Sequence, residues 1–251
     1  AATLAGRTPP HAATSLTGLA MDVAFFVHMQ LGTITNTSHS LWAQLFYCLR
    51  CGDASAALQT IRNAPRSDQN DIDPAIVQLI SALADLGGDS LFSQTQTFAN
   101  PLNRQDVADL YHRTKMRGST GNNNGNDTSL SFQLACLSLL SLEEPLTTAA
   151  PYVVNTIEDY LFGALWVAVQ SSTDCAQQVA KLGQLIQHWG PAHFEGEEST
   201  SSGGWAYAMP CLISQQYASA LRHLAESSSL LQATHLAIAM DRGATGALLR
   251  E

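Results

Sequence analysis

The chain has 251 residues, 45% of them hydrophobic and 13% charged, with a formal net charge of −9. That supplies a substantial core for one large domain or two small ones and excludes a disordered chain. With only 12 Lys and Arg there is little basic surface, so neither direct nucleic-acid binding nor an anionic membrane partner is expected.

Residues 1–13 are small and polar with Pro9-Pro10, a frayed lead-in. Ser15 to Leu31 reads as a helix capped by Ser15 or Thr17, with Leu19, Val23, Phe26 and Val27 as its apolar stripe. The stretch Leu19–Leu31 falls short of the roughly 18 apolar residues of a spanning helix and contains Asp22 and His28, so no membrane insertion is expected. The start also lacks the basic-then-apolar pattern of a signal peptide. There is no initiator Met, and the end GALLRE carries apolar Leu248 and Leu249, so the expectation is a single helical segment, 1–251, cut from a longer protein.

The stretch Leu41 to Asp53, LWAQLFYCLRCGD, is the one around which the chain is organised. Trp42, Leu45, Phe46 and Leu49 recur at i, i+3, i+4 and i+7, one face of a helix. Gly52 supplies the positive φ that ends such a helix, and Asp53 can accept a backbone N–H and start another. In the next helix Ala54, Ala57, Leu58 and Ile61 repeat the period. Helix, short stop and antiparallel partner make one unit of a helical repeat.

Ala64-Pro65 closes that pair, and Asp73-Pro74 opens a helix with Ile76, Leu79, Ile80 and Leu83 inward. Residues 88–101 have no clear period, and Arg104 to Met116 is a more polar helix. RGSTGNNNGND predicts a disordered surface loop over 117–128, and a second is expected over 195–204. Leu130 to Leu142 is apolar nearly all round, as in a helix sandwiched between neighbours. Ile157, Leu161, Ala164, Leu165 and Ala168 line another. Cys175, Val179, Leu182, Ile186 and Trp189 form an amphipathic stripe. Pro210 is read as opening a last pair, in which Ala220-Leu221-x-x-Leu224 repeats Ala57-Leu58-x-x-Ile61. Leu230 to Met240 adds a helix, and Ala244 to Arg250 begins one more. All nine prolines fall at proposed boundaries and no stretch alternates as a strand. The fold class is all-α, about ten helices paired antiparallel in an α-solenoid-like stack.

Five cysteines without framework spacing indicate a reducing compartment and buried thiols, which leaves the sequons at Asn36 and Asn126 without meaning. Cys48-x-x-Cys51 lacks the second ligand pair of a zinc site and the βαβ context of a redox motif, so helix packing accounts for it. Gly88-Asp89-Ser90-Leu91 and Asp109-x-x-His112 spell the blocks of a GDSL-type esterase, but without the strand that presents such a nucleophile. His188 and His193 flank Gly190-Pro191 with no third ligand. No phosphate loop or dinucleotide fingerprint is present. Catalytic, cofactor and metal residues are therefore expected to be none, and the chain is not expected to be an enzyme.

The run WAQLFYCLRCGD resembles the signature of the nucleoporin-interacting component family, the helical scaffold nucleoporin of the nuclear pore's inner ring. Two further fragments come in the family's order, Ile157-Glu158-Asp159-Tyr160-Leu161 and Trp189-Gly190-Pro191-Ala192-His193-Phe194. Residues 66–126 carry no matching fragment, which marks a divergent member. The resemblance implies a scaffold at the nuclear pore complex in the nuclear envelope, acting in nucleocytoplasmic transport. Its implied partners are other nucleoporins, including short linear motifs of linker nucleoporins. Trp42, Leu45, Phe46, Leu49, Gly52, Asp53, Asp159, Tyr160, Trp189, Gly190, His193 and Phe194 are assigned to architecture, with no partner-binding residues named. A scaffold of another assembly, such as a vesicle coat, is the alternative, and the esterase a remote one.

Overall fold

A computed structural model of the chain describes residues 18–31, 37–85, 104–120, 128–154, 156–171, 175–194, 204–227 and 230–242. Every regular element among them is a helix, fourteen in all. Three have five residues or fewer, α4 (Arg66–Asn70), α8 (Leu146–Ala149) and α11 (Pro191–Phe194), and these account for most of the excess over the ten expected. An apolar stripe needs two turns to show, so single-turn helices leave no period to read. The chain forms two compact units, Ala1–Ser171 and Ser172–Glu251.

In the first unit α2 (Thr37–Arg50) is the central element, packed against α1 (Leu19–Leu31), α3 (Ala54–Asn63) and α7 (Thr128–Ser141). The stripe read as one inward face is incomplete. From Leu41 to Leu49 only Gln44 and Tyr47 keep appreciable exposure, because three helices close around α2. Next, α5 (Pro74–Asp85) packs on α3, α6 (Gln105–Thr120) lies against α5 and α7, and α9 (Ile157–Ser171) packs on α7 and α8. The neighbour-on-neighbour stacking of a solenoid thus holds along the unit, with α7 returning to α2.

The turn between α2 and α3 sets their direction. Gly52 sits at φ +75. Its N–H reaches Leu49 O at 2.9 Å and the Asp53 N–H reaches Cys48 O at 3.1 Å, the paired bonds of a Schellman stop. The Asp53 carboxylate then accepts the Ala56 N–H at 2.8 Å and caps α3. Two helices joined so tightly and packed along their length must run antiparallel.

The second unit contains α10 (Cys175–Trp189), α11, α12 (Trp205–Ile213), α13 (Tyr217–Glu226) and α14 (Leu230–Arg242). Its α12–α13 pair repeats the two backbone bonds of the α2–α3 stop, without a side-chain cap like that of Asp53. Gln215, at φ +63, donates to Leu212 O at 3.1 Å, and Gln216 donates to Cys211 O at 2.7 Å. In this register Trp205 matches Trp42, Cys211 matches Cys48, Ala220 matches Ala57 and Leu224 matches Ile61. The repeat seen in two short fragments extends over α2 from Trp42 onward and over α3.

Two boundaries differ from the sequence reading. Pro210 lies inside α12 and does not open it. Its missing N–H frees only the Ala206 carbonyl, on the half-exposed side of the helix where water can replace the lost bond. Helix α6 runs to Thr120, so residues 117–120 of the first expected loop are helical, as is Thr128 at the start of α7. Gly118 lies in this last stretch of α6, against the Leu130 side chain of α7. The remainder of that loop, residues 195–203 of the second, the cap at Ser15 or Thr17, residues 88–101 and the helix expected from Ala244 lie outside the described residues.

The matched stops use different residues for one left-handed position, which only glycine adopts without strain. Gly52→Ala should lower the unfolding free energy by about 1 kcal/mol, and Gln215→Gly, at an exposed site, should raise it by about 0.5–1 kcal/mol. Urea unfolding of the two variants checks both signs.

Candidate functional site

The first two family-like fragments meet in space. Arg50, at the end of α2, forms an ion pair through its Nη1 with Asp159 Oδ1, in the first turn of α9. Asp159 is almost fully buried, and its position is fixed by a reciprocal cap. Its N–H donates to Thr156 Oγ1 at 3.2 Å, while its Oδ2 accepts the Thr156 N–H at 3.3 Å. Oδ1 has no hydrogen-bond partner, so the Arg50 charge compensates it. Arg50 lies within the signature run but is absent from the residues that sequence reasoning selects. Its signal is a cation one turn beyond Phe46 on an otherwise apolar face. The neighbouring Tyr160 is half-buried, and burial pushes its phenol above the ordinary value.

Within the hairpin Phe46 is fully buried and its ring lies 5.8 Å from that of Phe132 in α7. Tyr47 meets Phe132 at 6.0 Å and Phe26 of α1 edge-on at 5.0 Å. The Trp42 carbonyl accepts from the Cys136 thiol at 3.5 Å. Trp42, Leu45 and Leu49 are all buried. Cys48 is buried against Thr60, and burial pushes its thiol up to about 12, while Cys51 is exposed. An enclosed thiol that stays protonated at neutral pH is not a nucleophile.

The third fragment lies in the second unit. Gly190, at φ +70, ends α10. The exposed ring of His193 in α11 stacks over Trp189 at 5.0 Å with a 30° tilt. Phe194 continues the row to Tyr207 of α12 at 5.5 Å, and Tyr207 meets His223 edge-on at 5.0 Å. The aromatics of this fragment therefore join α10, α11, α12 and α13.

The esterase-like residues are engaged elsewhere. His112 Nε2 is 3.3 Å from Glu143, and Asp109 Oδ1 accepts from Gln105 at 3.1 Å, both on the exposed side of α6. Ser90 lies outside the described residues. Among the described residues no three His, Cys, Asp or Glu side chains group as metal ligands, and no helix is long and apolar enough to cross a membrane.

Helical hairpins packed one against the next define the class of helical scaffold proteins. The family model of Nup93/Nic96 matches residues 15–247, and the chain belongs to that family. Nup93/Nic96 is a family of structural nucleoporins, components of the nuclear pore complex that interact with other nucleoporins, and not an enzyme family. No curated protein and no solved structure matches the chain.

Removing Arg50 leaves a buried carboxylate unpaired. Arg50→Met should cost about 2 kcal/mol, below the roughly 3–5 kcal/mol of a fully buried pair because the Arg50 side chain keeps 30% exposure. Adding Asp159→Asn should recover most of that loss. A double-mutant cycle on unfolding free energies measures the coupling, and additive losses would mean that the two groups do not interact.

Proposed function

We propose that this chain is part of the structural scaffold of the nuclear pore's inner ring and acts without catalysing a reaction. It binds other nucleoporins through its helical surfaces and the grooves between them, including short linear motifs of linker nucleoporins. It neither contacts nucleic acid directly nor inserts into the membrane. The observation that carries this reading is family membership across residues 15–247 in a chain whose described elements are all helices. The acidic balance favours protein partners over nucleic acid. The signature residues serve architecture, because Trp42, Phe46 and Leu49 spend their apolar surface on neighbouring helices. Binding then falls to faces that internal packing leaves open.

Gentle affinity capture of the tagged full-length protein, with companions identified by mass spectrometry, tests the reading. Inner-ring and linker nucleoporins are the expected companions. Recovery of vesicle-coat subunits in their place would overturn it.

A further inference from the structure

We draw no further inference here: the strongest candidate, the apolar surface patch that Leu230, Leu231 and Ile238 expose on α14, carries nothing because nothing in the structure shows what covers it.

Discussion

The first unit depends on one constraint, that α2 has almost no face left for water between Leu41 and Leu49. Full burial of a large apolar side chain stabilises by about 1.5–3 kcal/mol, and Trp42, Leu45, Phe46 and Leu49 contribute on that scale within about two turns. A helix enclosed on all sides dictates where its neighbours lie. Helix α3 is turned back along it by the Gly52 stop, α1 meets it through Phe26 and Tyr47, and α7 closes it through Phe132. The ion pair from Arg50 then ties α9 to the same element.

Charges are scarce in this chain, and several of them serve helix ends. Asp53 caps α3, and the Asp159 carboxylate accepts the Thr156 N–H at the start of α9 while holding Arg50. Arg104 donates to the Leu140 carbonyl at 2.6 Å and to Gln170 at 3.1 Å, which places a cation at the C-terminal ends of α7 and α9. Burial pulls its guanidinium down to about 10, so it stays charged at neutral pH, where the helix dipoles favour it. Trp166 supplies the adjacent Leu139 carbonyl with a donor at 2.7 Å. Carbonyls that α7 cannot pair for itself are thus closed by side chains from neighbouring segments.

Legibility in the sequence tracks the range of the cause. The stripe Ala54, Ala57, Leu58 and Ile61 is local, and all four residues are buried as the period predicts. So are Val179, Leu182 and Ile186 of α10. The lack of any period in α7 is equally informative, since Phe132 and residues 135–141 are buried. Features that escape the sequence depend on tertiary neighbours or break a local rule. Pro210 is misplaced because a proline normally marks a boundary, and only the half-exposed Ala206 carbonyl makes the interior position tolerable. The Arg50–Asp159 pair joins residues far apart in the chain, and no local pattern encodes it. The likeness of α12 to α2 becomes legible only when their Schellman stops are overlaid.

If α2 is the element around which the first unit is built, native-state hydrogen exchange read by mass spectrometry will show it. Amides of α2 between Leu45 and Leu49, with those of α7 facing them, should exchange last and only through global unfolding. Exchange of those α2 amides through local opening, well before α7 or α9, would show that the signature hairpin is peripheral and contradict its central place.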